Sequence, residues 1–94
     1  MNPIEKKKLK ALAHALKPVV IIGQAGLTAA VLKEINVALD VHELIKVKIR
    51  AERDDRQAIA TQICTETLAE QLQSIGQIAV LYRKNPKKKI PAAN

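Results

Sequence analysis

The stretch PVVIIGQAGLT, residues 18–28, sets four consecutive aliphatic residues against a turn bracketed by Gly23 and Gly26. The chain has only three glycines, so two in one four-residue turn mark a place where the backbone must change direction. Residues 19–22 read as a strand, and an unbroken apolar run of this kind suits a central or doubly covered one. Thr28 has the side chain to cap a following helix that runs to about Leu39, with Val31, Leu32, Ile35, Ala38 and Leu39 on one face. Beyond it, LIKVKIRA (44–51) alternates, with Ile45, Val47 and Ile49 pointing one way and Lys46, Lys48 and Arg50 the other. Strand, crossover helix and strand in this order predict a right-handed parallel pair.

The flanks complete the pattern. Asn2, Pro3 and Glu5 form a helix start signal. The helix they open carries Leu9, Leu12, Ala13 and Leu16 on one side and Lys7, Lys10, His14 and Lys17 on the other, and Pro18 closes it. Asp54 and Gln57 read as the capping pair of a third helix with Ile59, Ala60, Ile63, Cys64 and Thr67 inward. The remaining EQLQSIGQIAVLYR (70–83) reads as two strands turned near Gly76, a link short enough to allow only an antiparallel hairpin. The expected fold is therefore α/β and two-layered, in the order α-β-α-β-α-β-β. A mixed four-stranded sheet would carry its helices on one face and leave Lys46, Lys48 and Arg50 on an open one. Residues 1–84 form the expected domain, and 85–94, with two prolines and three lysines, a flexible basic tail.

Composition bounds the function. The chain has 94 residues, 48% of them hydrophobic, yet Tyr82 is its single aromatic, so the core must be aliphatic. No apolar run is long enough to span a membrane and no secretory leader pattern opens the chain, which leads us to expect a cytoplasmic protein without a membrane partner. The lone Cys64 makes neither an internal disulfide nor a metal site. The net charge of +7 is uneven: residues 1–22 carry +4, residues 23–82 carry −2 and residues 83–94 carry +5. Clustered lysine at this density is the footprint of a nucleic-acid binder, although basic ends also serve solubility alone.

A G-x-x-G turn between strand and helix exposes backbone N–H groups at the positive end of a helix dipole, where a phosphate is well placed. KH domains clamp the nucleic-acid backbone with a loop of this form, although any tight strand-to-helix turn can also use two glycines. Here the neighbouring Lys7, Lys10, His14 and Lys17 favour the functional reading. His14 can equally meet free carbonyls at a helix end. His42 falls on the buried side of the second helix as a packing or capping residue, and Cys64 reads as a small hydrophobe. Tyr82 reads as a buried strand-end residue, without the aromatic platform that RRM-type readers use. No nucleophile sits beside a base, no Walker-type lysine loop occurs and no ligand cluster has metal spacing. An enzyme, a cofactor, a metal and a small-molecule substrate are therefore not expected.

LKALAHALKPVVIIGQAGLTAAVLKEINVALDVHELIKVKI (9–49) followed by IGQIAVLYR (75–83) resembles the bacterial YhbY family, whose members are single CRM domains. The resemblance runs from about residue 8 to 84, and its ordered elements LAH, PVV, GLT, HELIKVK and LYR are far more specific than the glycine turn. It implies a fold similar to the carboxy-terminal domain of a bacterial translation initiation factor. It also implies RNA binding, in association with precursors of the large ribosomal subunit. The family's glycine loop falls on Gly23, Gln24, Ala25 and Gly26; members often carry Asn before the second glycine, where this chain has Ala25. The expected RNA-binding set is Lys7, Lys10, His14, Lys17, Gly23, Gln24, Ala25, Gly26, Lys46, Lys48, Arg50, Arg83 and Lys84, on a monomer. Two other readings stay open at this stage: a protein-interaction adaptor on the ribosome or its assembly factors with no direct RNA contact, and general DNA binding.

Overall fold

The computed structural model describes residues 2–85. Its elements are α1 (Pro3–Ala13), β1 (Pro18–Ile22), α2 (Ala29–His42), β2 (Leu44–Ile49), α3 (Arg53–Thr67), β3 (Glu70–Ile75) and β4 (Ile78–Tyr82). The order is the one expected, and so is the mixed four-stranded sheet, arranged β1-β2-β4-β3. β1 runs parallel to β2, while β4 pairs antiparallel with both β2 and β3.

β2 shows the alternation written in its sequence. Ile45, Val47 and Ile49 are fully buried and Lys46 and Lys48 half-buried on the opposite face. The three β2 aliphatics meet Val20 and Ile22 of β1, Ile35 and Leu39 of α2, Ala60 and Ile63 of α3 and Leu81 of β4 in one core. Each such side chain contributes about 1.5–3 kcal/mol by leaving water. Thr67 is the sole polar member of the buried set among the described residues, and its hydroxyl donates to the Ile63 carbonyl at 2.7 Å.

Three expectations need correction. The helices do not share one face: α2 and α3 pack with the main core, whereas Ala13 and Leu9 of α1 meet Leu72, Val80, Leu44 and Tyr82 across the other side of the sheet. The physical reason is visible in β4, where both alternating sets are apolar, so both faces need cover. The lysines of β2 disguised this, because both lie half-buried on that side of the sheet and the Lys46 ammonium is tied to the Leu16 carbonyl after α1. β1 is an edge strand and not a central one, with Val19 47% and Ile21 53% exposed. In α1 the stripe is only partly covered, since Leu12 is 60% and Leu16 38% exposed.

The helix starts follow local chemistry. The Glu5 N–H donates to Asn2 Oδ1 at 2.8 Å and the Val31 N–H to Thr28 Oγ1 at 3.2 Å, as the cap residues lead one to expect. For α3 the cap position is Glu52, without a side-chain cap bond, and Asp54 lies inside the first turn. There a carboxylate still favours the helix dipole. α1 ends at Ala13, well before Pro18, and tightens through Leu16, whose N–H donates to the Ala13 carbonyl at 3.0 Å. His42 is exposed at the end of α2 and not buried there.

α3 ends in a left-handed residue, Leu68, with φ 62° and its side chain 84% exposed. That conformation costs a Cβ-bearing residue roughly 1–2 kcal/mol and suits glycine. Leu68→Gly is expected to raise stability by about 0.5–1 kcal/mol once the extra entropy of an unfolded glycine is set against that strain, a shift that urea unfolding would register.

Cys64 is half-buried among α3 and β3. Burial pushes its thiol up; a hydrogen bond from the Gln71 backbone pulls it part-way back, and the Glu70 carboxylate adds to the rise. The native thiol therefore holds its proton more firmly than the unfolded one. This contribution to stability is complete below the unfolded thiol's pKa and fades as the pH climbs through the native value. Alkylation by iodoacetamide at pH 8 is expected to be at least about tenfold slower in the native protein than in urea, because thiolate fraction and access both fall.

Candidate nucleic-acid interface

Alternation along β2 puts Lys46 and Lys48 on the face that α1 covers in part. Lys46 pairs in register with Val80, and Lys48 with Ile78 on one side and Ile21 on the other. Lys46 Nζ donates to the Leu16 carbonyl at 3.1 Å, which ties the end of the α1 segment to the centre of the sheet. Lys7, His14 and Lys17 are exposed on or just after α1, and Lys10 is half-buried. Lys84 lines a shallow groove with Lys8, Glu5, Leu9, Leu12 and Tyr82, so the start of α1 and the end of the sheet bring two exposed lysines to one place. Lys8 was absent from the expected set. The run Lys6, Lys7, Lys8 carried the signal, but a single helix stripe cannot hold neighbours in sequence.

The glycine turn lies at the far end of β1. The Gly26 N–H donates to the Gly23 carbonyl at 3.1 Å, closing a four-residue turn in which Gly26 has φ +73°. Gln24 and Ala25 occupy its exposed tip, and their amides have no acceptor among the described residues. Leu27, packed against the main core, anchors the turn from behind. The helix begins where expected, at Ala29 with Thr28 as its cap, and runs on to His42. The turn amides and the first-turn amides of α2 are therefore two donor groups separated by Leu27 and Thr28. The Arg50 N–H donates to the Ile22 carbonyl at 3.0 Å, which holds the exposed Arg50 beside the entry to this turn.

Arg83 departs from its expected place. It follows Tyr82 along β4, so alternation turns it to the α2 and α3 side, away from the lysines. Its Nη1 donates to Asn36 Oδ1 and to the Thr67 carbonyl, both at 2.8 Å. Its Nη2 donates to the Asn36 carbonyl at 3.1 Å and to Asp40 Oδ1 at 2.8 Å. The guanidinium is committed to holding α2, α3 and β4 together, and a phosphate would have to displace those acceptors. Asn85, placed in the expected tail, is tied to the domain: its N–H donates to Glu43 Oε2 and its Nδ2 to the Asp40 carbonyl, both at 2.8 Å. The rest of the expected tail, 86–94, lies outside the described residues. Among the described residues no group of three or more His, Cys, Asp or Glu side chains is placed to hold a metal ion, and no helix is long and apolar enough to cross a membrane.

With the turn, the lysine face and the sheet order in view, comparison with known proteins becomes informative. Residues 1–83 match the model of the CRS1 / YhbY (CRM) domain. The chain belongs to the CRS1/YhbY (CRM) domain family. Among its relatives, a Haemophilus influenzae "RNA-binding protein" is 53% identical over 87 residues, covering 92% of this chain and 88% of the relative. A Pseudomonas aeruginosa "Probable RNA-binding protein" is 51% identical over 84 residues, covering 88% and 81%. The solution structure of a Staphylococcus aureus hypothetical protein is similar to this CRM domain with a TM-score of 0.79 at 32% identity, covering 90% of each chain.

The ion pair of Arg83 with Asp40 allows a test of its assignment. Arg83→Leu is expected to destabilise the domain by about 2–3 kcal/mol, because the part-buried acceptors of Asn36 on α2 and Thr67 on α3 lose a charged donor. Asp40→Asn should cost less than about 1 kcal/mol, since the Asp40 side chain is 63% exposed. Thermal unfolding of the two variants would separate them.

Proposed function

We propose that this CRM domain binds RNA, and that its target is ribosomal RNA in precursors of the large ribosomal subunit, in the cytoplasm, where it assists assembly. Two features carry the reading. Lys46, Lys48 and the α1 lysines form a cationic face, and beside Arg50 stands a glycine turn whose tip offers unpaired amides. Lysines draw the sugar-phosphate backbone by releasing counterions, and the amides of Gln24 and Ala25 fix the position of one phosphate. Base stacking contributes little, because Tyr82, the single aromatic, is half-buried in a groove. Affinity is accordingly steep in salt and modest in sequence preference. The names of the relatives support RNA as the polymer, and the family resemblance supports the ribosomal target.

The loop is best tested at its tip. An acidic residue at Gly26 would add backbone strain at φ +73° to any charge effect, whereas Ala25 is exposed in a turn position with negative φ. Ala25→Asp is expected to weaken binding to a large-subunit ribosomal RNA fragment by at least about tenfold in filter binding, with an unchanged unfolding midpoint. Lys48→Gln should weaken binding and lower the log–log salt slope by about 1, the loss of one phosphate contact. Equal affinity of the Ala25→Asp variant and the parent would remove the turn from the interface. Equal affinity of the parent for duplex DNA in competition would remove RNA as the preferred polymer.

A further inference from the structure

Nine large hydrophobic side chains are exposed among the described residues, and five of them, Leu12, Leu16, Val19, Val37 and Val41, line two adjoining grooves. The first, about 610 Å³, lies between α1 and the start of β1; the second, about 390 Å³, lies between β1 and α2. Val19 and His42 border both, so the grooves form one apolar surface across the β1 edge. Contiguous aliphatic exposure on this scale marks an interaction site, where scattered single residues would not.

The strand beneath it has an unused hydrogen-bonding side. β1 ends the sheet order, and the Ile22 carbonyl accepts from the Arg50 N–H, which turns Ile22 toward β2. Alternation leaves the N–H and C=O of Ile21 on the open edge, the arrangement that accepts an added strand. The charged groups around the grooves decide what kind of segment fits. Asp40 is held by Arg83, and Glu43 Oε2 by the Asn85 amide. Lys17 in the first groove and Lys33 in the second have no partner among the described residues, with Glu34 as the remaining uncommitted acid. A second copy would bring the same +7 charge to the contact. RNA gains nothing from an aliphatic groove.

We propose that this edge is a docking surface for a peptide segment of a protein partner, apolar in its middle and acidic at both ends, laid in extended form along β1. Lys17 of the expected RNA-binding set borders the first groove, whereas the second, on the α2 side of β1, holds no residue of that set. The test uses the full chain, isotope-labelled, titrated with two synthetic peptides, EEVLVIEE and KKVLVIKK. The acidic peptide is expected to shift the amides of Val19, Ile21 and Val41 and to bind at least tenfold more tightly than the basic one. Val37→Glu with Val41→Glu should abolish that binding and leave affinity for the ribosomal RNA fragment unchanged. Lys33→Glu, which alters no apolar contact, should narrow the preference between the peptides severalfold. The proposal is overturned by equal affinity for the two peptides, by no binding of either up to millimolar concentration, or by shifts confined to other surfaces. It is also overturned by weakened RNA binding in the double variant, which would make RNA the occupant. Self-association of the parent that the double variant abolishes in sedimentation would make it a second copy.

Discussion

The register of β2 is the constraint on which the molecule rests. It is the one strand that pairs in parallel on one side and antiparallel on the other, and its two faces are chemically opposite. A slip of one residue would drive Lys46 and Lys48 into the aliphatic core and turn Ile45, Val47 and Ile49 outward. The desolvation cost of two buried ammonium groups makes that register inaccessible. The same alternation that secures the fold therefore delivers the cationic face, with no separate device needed to position it.

Arg83 performs the complementary task at the other end of the sheet. A single guanidinium joins Asn36 and Asp40 of α2 to the last carbonyl of α3, while its own N–H donates to the Glu43 carbonyl at 2.9 Å. A lysine could not do this, since the planar fork reaches several acceptors at once and a point charge does not. Lys46 on the α1 side of the sheet is thus only lightly tied, whereas Arg83 is a structural joint.

Element order, the parallel β1–β2 pair, the β3–β4 hairpin and the helix caps at Asn2 and Thr28 could be read from the chain because each rests on local chemistry or on strong periodicity, whereas the β2–β4 pairing could not. What could not be read depended on partners distant in sequence. Arg83 sits in a basic stretch and looks like part of it until alternation from Tyr82 is followed onto the helix side. The position of α1 was hidden by Lys46 and Lys48, whose charges suggest an open face although both lie half-buried. In β1, an unbroken aliphatic run looks the same whether both faces are covered or one edge is left for another molecule.

The near absence of aromatic rings leaves the domain with an unusual optical property. Tyr82, half-buried against α1 in the groove that also holds Leu9 and Leu12, is its sole intrinsic chromophore of consequence in the near ultraviolet. Its emission consequently reports whether the first helix is seated, and is blind to the main aliphatic core on the other side of the sheet. An optical melting curve and a calorimetric one would therefore diverge wherever that helix lifts off before the remainder opens.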